Sequence, residues 1–140
     1  MQIQTVAMQT TAKSIVKKSS FFSYVYPFSS EKELKPILEK LRKEHKKASH
    51  VAFAYRIAQL NVLGDLVYNE RRSDDGEPSK TAGAPLLRLL QQKELGNVLV
   101  CAARVFGGIK LGPAGLIKAY RTSGKMALEE NTIILQEINQ

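Results

Sequence analysis

A glycine-rich segment between an apolar run and a helical pattern constrains the fold of this chain more than any other feature. Residues 97–103 are apolar almost throughout, which is typical of a buried strand. Residues 104–115 follow with four glycines and a proline, and apolar residues from Leu116 onward recur at helical spacing. This order of strand, loop and helix can leave backbone N–H groups free at the positive end of the helix, where an anion is stabilised.

The glycine-rich segment therefore predicts either an anion-binding site or a tight structural turn, and both interpretations remain open. Glycine permits a positive φ and a close approach of a ligand to the backbone. The spacing matches neither the dinucleotide-binding nor the P-loop fingerprint. The candidate anion-binding residues are Arg104, Gly107, Gly108, Lys110, Gly112, Gly115, Lys118 and Arg121.

A second segment, residues 71–85, combines carboxylates, hydroxyls and two arginines, and we call it the acidic loop. Its candidate site residues are Asp74, Asp75, Glu77 and Thr81. One interpretation is a Mg²⁺ site that works with a phosphate in the glycine-rich segment. Another is a loop whose carboxylates hold Arg71, Arg72 or Arg104 in position. A third is a solvated turn into a helix capped by Thr81 or Gly83. We favour the structural and binding network, and predict no metal site and no cofactor.

Length and charge restrict the class of protein. The chain has 140 residues and a formal net charge of +8, which favours one domain with a polyanionic partner such as RNA, DNA, a ribosome or a phosphorylated ligand. The single cysteine, Cys101, predicts a small buried side chain and a cytoplasmic location. No membrane-spanning run and no signal pattern is present. His45 and His50 lack metal-ligand spacing, so we expect structural or surface roles.

Hydrophobic periodicity predicts alternating strands and helices. Ser30 predicts the N-cap of a helix that ends near residue 47. In the last helix, the inward positions are predicted to be Leu116, Tyr120, Met126 and Leu128. The predicted strands are 14–16, 21–26, 51–57, 66–68 and 98–103, with a short strand or apolar tail at 132–135, and the other helices are 84–93 and 115–130.

Two motifs in this order resemble the YigZ/IMPACT family over roughly residues 10–128. The first motif comprises residues 73–79 with 81–83, and the second comprises residues 104–108 with 110–112, 115–116 and 119–120. Residues 17–19, Phe21, residues 44–45 and residues 48–50 add supporting matches. The family commonly has Gly where Lys80 and Ala114 stand and Tyr where Val105 stands. The alanine predicts a less adaptable anion loop.

The resemblance implies an α+β domain similar to the second domain of ribosomal protein S5, with a four-stranded mixed sheet and helices packed against one face. Residues 1–140 would form a single YigZ/IMPACT-type domain. Bacterial relatives usually carry a second, ferredoxin-like C-terminal domain, which we expect to be absent. The same fold serves RNA-binding proteins, ribosomal proteins and small-molecule kinases, so it does not select a function.

The resemblance also implies a link to translation. Eukaryotic IMPACT-type relatives regulate initiation by binding a protein partner that activates an initiation-factor kinase, and nucleic-acid binding has been proposed for bacterial relatives. We predict a non-enzymatic module that binds RNA, the ribosome or a phosphate-bearing ligand through the glycine-rich segment. The alternatives are an enzyme acting on a phosphorylated small molecule and a protein–protein adaptor in translational regulation.

Overall fold

The computed structural model describes residues 1–139 and contains a central five-stranded sheet and a separate two-stranded sheet. The strands are β1 Gln2–Val6, β2 Thr10–Val16, β3 Ser19–Pro27, β4 His50–Leu60, β5 Leu66–Ser73, β6 Val98–Val105 and β7 Ile133–Glu137. The helices are α1 Leu34–Glu44, α2 Gly83–Gln92 and α3 Gly112–Glu129, and a single 3₁₀ turn, Glu31–Glu33, precedes α1.

The central sheet has the strand order β2-β3-β6-β4-β5, and every neighbouring pair is antiparallel. The prediction of a four-stranded mixed sheet is therefore wrong in both strand number and direction, although the α+β class is confirmed. β6, the apolar run that precedes the glycine-rich segment, lies in the middle and is buried from Val98 to Arg104. A central strand is covered on both faces, which explains why it carries no polar alternation.

The helices cover both faces of the sheet, so the prediction that they pack against one face is wrong. Alternate residues of β4 point to opposite faces. Ala52 and Ala54 belong to the core beneath α2 and α3, where their small side chains permit close packing. Val51, Phe53 and Tyr55 belong to the opposite core, with Leu34 and Leu41 of α1 among its members. The sequence predicted α1 as a helix but not the sheet face that it contacts.

The two ends of the described chain form the small sheet, in which β1 pairs antiparallel with β7. Of the short strand and the apolar tail predicted as alternatives at residues 132–135, the structure has the strand, β7, whereas β1 was not predicted. In α3, Leu116, Tyr120 and Leu128 are buried as predicted, but Met126 is 36% exposed and the prediction for it is wrong. Within residues 1–139, no helix is long and apolar enough to cross a membrane.

Local backbone preferences explain two connections. The β2–β3 hairpin turns at Lys17 and Lys18, both of which have positive φ (45° and 67°), as a tight two-residue turn requires. The Ser30 hydroxyl accepts a hydrogen bond from the Lys32 N–H at 3.3 Å and caps the 3₁₀ turn that leads into α1, whereas the N-cap of α1 itself is Glu33. α1 then begins at Leu34, which places Pro36 in the first helical turn, where its missing N–H is tolerated.

Candidate functional site

The register of the central sheet brings two polar residues together at one end of the α2/α3 face. His50, the first residue of β4, lies opposite Arg104 of β6, and Phe21 of β3 lies on the other side of Arg104. Residues directly opposite each other share a face of the sheet. Tyr120 of α3 packs edge-on against the Phe21 ring, with 5.1 Å between ring centroids. The helix and three strands therefore surround the Arg104 side chain.

A buried ion pair joins the acidic loop to the central strand. Arg104 Nη1 lies 3.0 Å from both Oε1 and Oε2 of Glu77. Only 7% of the arginine side chain and 3% of the glutamate side chain are exposed. The Tyr120 hydroxyl donates a hydrogen bond to Glu77 Oε2. Burial raises the pKa of Tyr120, and the hydrogen bond to the Glu77 carboxylate raises it further. The interpretation in which an acidic-loop carboxylate holds Arg104 is confirmed.

Ser19 connects this pair to the glycine-rich segment. Its hydroxyl oxygen lies 3.4 Å from both Nε and Nη2 of Arg104. The same oxygen accepts a hydrogen bond of 3.4 Å from the Gly107 N–H. Gly107 has no room for a side chain, because an added Cβ would lie 1.9 Å from the Lys18 carbonyl oxygen. The acidic loop, the glycine-rich segment and the β2–β3 hairpin therefore converge on one site.

Asp74 organises the acidic loop through backbone contacts. Its Oδ1 accepts hydrogen bonds from the N–H groups of Ala82 (3.1 Å) and Gly83 (2.9 Å), and its Oδ2 accepts one from Lys80 (2.9 Å). Asp74 thus satisfies donors at the start of α2, a role that the solvated-turn interpretation gave to Thr81 or Gly83. The Thr81 hydroxyl instead donates to the Pro78 carbonyl at 2.6 Å.

Asp75 joins the acidic loop to α1 and β4. Its Oδ2 accepts from Arg42 Nη1 at 3.0 Å and from the Val51 N–H at 2.7 Å. Burial acts to raise the pKa of Asp75, but Arg42 and the Val51 N–H together outweigh it, and the pKa lies below its usual value. Within the described residues, no three His, Cys, Asp or Glu side chains are placed to hold a metal ion.

His50 takes part in the site, which the sequence analysis did not predict. Its Nδ1 lies 2.7 Å from the Asp75 carbonyl oxygen. Because a carbonyl can only accept, Nδ1 carries the proton. Nε2 lies 3.5 Å from Glu77 Oε1. The motif matches at residues 17–19 and 48–50 contained the signal for Ser19 and His50, but the sequence offered no geometry for either residue.

A cleft of about 430 Å³ opens beside this network. Of the predicted anion-binding residues, Arg104, Lys110 and Gly112 line it, and Glu77 lines it from the acidic loop. Its other lining residues are Ser49, His50, Pro78, Phe106, Leu111, Pro113 and Leu116. Lys118 and Arg121 lie further along α3 and do not line the cleft.

Backbone φ values show where the loop needs glycine and bear on the two positions, Lys80 and Ala114, where this chain lacks the glycine that relatives commonly carry. Gly108 and Gly112 have positive φ (91° and 73°), so the loop needs glycine there. Ala114 lies in the first turn of α3 and is not among the positive-φ residues, so its side chain does not disturb the loop. Lys80 has a positive φ of 65°, which accounts for the glycine that relatives commonly carry at this position.

Comparisons with known proteins place the chain in a family. The model of the Impact N-terminal domain matches residues 17–128. IMPACT family member YvyE of Bacillus subtilis is 35% identical over 124 residues, which cover 89% of this chain and 54% of that protein. IMPACT family member YigZ of Escherichia coli is 33% identical over 126 residues, which cover 90% of this chain and 60% of that protein.

A solved crystal structure, described as that of a hypothetical protein, has a similar fold. It matches with a TM-score of 0.83 and 31% sequence identity, covering 96% of this chain and 64% of that chain. The chain spans about half the length of YvyE. The family match covers both motifs that form the cleft, and the chain belongs to the Impact N-terminal domain family.

Proposed function

We propose that the protein is a non-enzymatic binding module linked to translation, which binds a phosphate-bearing ligand, RNA foremost, in the cleft beside the glycine-rich segment. The observation that carries this proposal is that Lys110 and the start of α3 line the same cleft as Arg104. In this proposal the protein acts in the cytoplasm, and its partner belongs to the translation apparatus.

The electrostatics of the cleft give each cation a different role. The Arg104 charge is compensated by Glu77 in a buried pair, so Arg104 orders the wall of the cleft. Lys110 is exposed and supplies the cation available to a ligand. Gly112 and Pro113 of α3 line the cleft, and no side chain in the described residues caps the first turn of this helix. The positive end of the α3 dipole therefore favours an anion here.

Phe106 favours a nucleotide over a bare phosphate. It lines the cleft, is 48% exposed, and its ring centroid lies 5.4 Å from the Arg104 guanidinium. An exposed aromatic ring beside a cation is the arrangement on which unpaired bases stack in RNA recognition. The net charge of +8 supports the same class of ligand.

The link to translation rests on family membership. The family resemblance implies that eukaryotic members regulate translation initiation by binding a protein partner. That role would make the same module an adaptor, with RNA or a protein as the bound partner. A pull-down after nuclease treatment separates these two, because nuclease releases partners that are held through RNA.

We expect Lys110→Ala to weaken binding of a structured RNA. Loss of one phosphate contact reduces the slope of log affinity against log salt by about 1 and weakens binding at low salt. Fluorescence polarisation across a salt series measures both quantities. Duplex DNA of matched length tests whether RNA is preferred.

Lys93→Ala is the charge-matched control, because Lys93 is exposed at the end of α2 and does not line the cleft. Lys118→Ala and Arg121→Ala test whether the RNA surface extends along α3. An affinity and salt slope that Lys110→Ala leaves unchanged, or changes no more than Lys93→Ala, removes the cleft from the proposal.

His50 favours a second candidate function, an enzyme acting on a phosphorylated small molecule. With the proton on Nδ1, Nε2 carries the lone pair that can accept a proton from water or a substrate hydroxyl, and Glu77 Oε1, 3.5 Å away, would stabilise the imidazolium that forms. The ring lies at the wall of the cleft and is 23% exposed. In this candidate a water oxygen bonds to the terminal phosphorus and gives a proton to Nε2, the phosphoanhydride bond breaks, and the nucleoside diphosphate leaves, while Lys110 and the start of α3 hold the phosphate.

Release of inorganic phosphate from nucleoside triphosphates in the presence of Mg²⁺ tests the enzymatic candidate. If His50 is the base, His50→Gln should lower the rate by about 100-fold or more. His45→Gln is the control, since His45 is the other histidine and does not line the cleft. Phosphate release at the same rate from both variants, or none from the unmodified protein, eliminates this candidate.

A further inference from the structure

On the α1 side of the sheet, β2 and β3 carry a face that is only partly covered: His45, directly after α1, contacts Phe22 and Tyr24, while side chains of β2 remain exposed. α1 packs over β4 and the centre of the sheet, with Leu34 and Leu41 buried there. On the same face, β2 presents Lys13 and Ile15 to solvent, and 64% of Ile15 is exposed. An exposed sheet face that carries large apolar side chains marks an interaction surface more often than a free surface.

β3 contributes a row of half-buried rings to this face. Cross-strand pairing places Phe22 opposite Lys13, and Tyr24 and Tyr26 follow on the same side of the strand. The rings of Tyr24 and Tyr26 are nearly parallel, at 13°, with centroids 6.2 Å apart. His45, just after α1, stacks on Phe22 at 4.5 Å and 30°. We call the surface formed by Lys13, Ile15, Phe22, Tyr24 and Tyr26 the aromatic face.

Positive charge borders the aromatic face. Lys13 Nζ lies 5.3 Å from the centroid of the Phe22 ring. Exposed lysines stand at the hairpin turn and directly after His45: Lys17, Lys18, Lys46 and Lys47. One carboxylate lies close to the rings: burial raises the pKa of Tyr24, and the Glu44 carboxylate raises it further. The lysines outnumber this carboxylate, so the surroundings of the aromatic rings favour an anionic partner.

We infer that the aromatic face binds single-stranded RNA, whose bases stack on the Tyr24 and Tyr26 rings while its phosphates contact the bordering lysines. Aromatic side chains on a sheet, flanked by cations, bind unpaired bases with little sequence preference. The charge complementarity selects a nucleic acid over a neutral protein segment. Duplex RNA would be excluded, because its paired bases are stacked on one another and cannot reach the rings.

This inference rests on the proposed RNA binding but assigns a surface separate from the cleft. The hairpin turn lies between the two surfaces, since Lys18 abuts Gly107 of the glycine-rich segment. One RNA could therefore contact the cleft with a structured part and the aromatic face with a single-stranded part. Each surface is testable without the other.

Binding of a fluorescein-labelled twelve-nucleotide oligouridylate, followed by fluorescence polarisation, tests the inference. Tyr24→Leu/Tyr26→Leu keeps apolar bulk and removes the rings, and we expect affinity to fall about tenfold or more with an unchanged salt slope. Lys13→Gln should instead reduce the salt slope by about 0.7. Tyr68→Leu is the matched control, because Tyr68 is a half-buried strand tyrosine on β5, where it packs against Arg56.

A second variant guards against loss of folding. Ile15→Glu places a negative charge on the aromatic face at an exposed position, and it should weaken oligouridylate binding. Ile134→Glu on β7, where Ile134 is 41% exposed, is its control. Far-UV circular dichroism and thermal unfolding verify that each variant is folded. Oligodeoxythymidylate and an RNA duplex show whether the sugar and the unpaired state matter.

The results separate this inference from the proposed function. Weaker oligouridylate binding in the aromatic-face variants, with Lys110→Ala unaffected, supports the aromatic face even if the cleft proposal fails. The reverse pattern leaves the cleft proposal standing and overturns the inference. Equal losses in Tyr24→Leu/Tyr26→Leu and Tyr68→Leu also overturn it. Two further results would also overturn it. One is tight binding of duplex RNA with no binding of single-stranded RNA, and the other is a protein partner that stays bound after nuclease treatment but is lost in Ile15→Glu.

Discussion

Replacing Glu77 with glutamine should lower the free energy of unfolding by about 3–5 kcal/mol. The carboxylate is 3% exposed and compensates the buried Arg104 guanidinium at 3.0 Å. The substitution leaves that charge without a partner, and it places an amide donor where the Tyr120 hydroxyl now donates. Domains of this kind are stable by only about 5–15 kcal/mol, so the loss is a large fraction of the total. Urea denaturation measures it.

Two further variants identify the cause. Glu39→Gln removes a carboxylate from the exposed side of α1 and should change stability by less than about 0.5 kcal/mol. Glu77→Leu/Arg104→Leu removes both charges and should recover part of the loss, because no uncompensated charge remains. A loss below about 1 kcal/mol for Glu77→Gln would contradict the role of this pair as the link between the two motifs.

Gly107→Ala should destabilise the protein by about 3 kcal/mol or more, since the new Cβ meets backbone. It would lie 1.9 Å from the carbonyl oxygen and 2.1 Å from the carbonyl carbon of Lys18. Neither atom belongs to a flexible side chain, so the loop and the hairpin must move apart. That movement breaks the hydrogen bond from the Gly107 N–H to Ser19 and should also weaken RNA binding at the cleft.

Gly108→Ala is the control for Gly107→Ala, because it lies next to it in the same loop. An added Cβ at Gly108 meets no atom within 4 Å, but its φ of 91° strains any side chain. We expect a cost of about 1–2 kcal/mol from this strain alone. Thermal and urea unfolding of both variants make the comparison. A smaller loss for Gly107→Ala than for Gly108→Ala would show that the contact with Lys18 is dispensable.

Local patterns predicted most elements of the fold, and their failures share one cause. β2 was predicted only at residues 14–16, yet it begins at Thr10. It is the edge strand of the central sheet, with one face exposed, so its apolar signal is weak. β1 was missed because its partner, β7, lies at the other end of the chain. A strand with exposed residues on one face has too weak an apolar pattern to be predicted from its own residues, and it is identified only once its partner strand is known.

The residues of the site were predicted only in part, because their partners lie far apart along the chain. The sequence identified the two motifs and indicated that a carboxylate holds an arginine, with Arg71, Arg72 and Arg104 as the choices. The structure selects Arg104 and Glu77, because β6 and the acidic loop meet at the end of the α2/α3 face. It also assigns Asp74 and Asp75 to backbone and Arg42 contacts. Lys118 was predicted to bind the anion but does not line the cleft.

Sequence patterns alone were enough to predict the glycine-rich connection, the polar start of the first helix at Ser30, the apolar strand of residues 98–103 and the two family motifs. Each depends on residues that are close along the chain, where backbone preference and periodicity act directly. The five strands of the sheet, the position of α1 on the opposite face and the common cleft of His50, Glu77 and Arg104 required the folded chain. These depend on strand register and on side chains more than 20 residues apart, and burial of both faces of the sheet, rather than local preference, selects among the pairings.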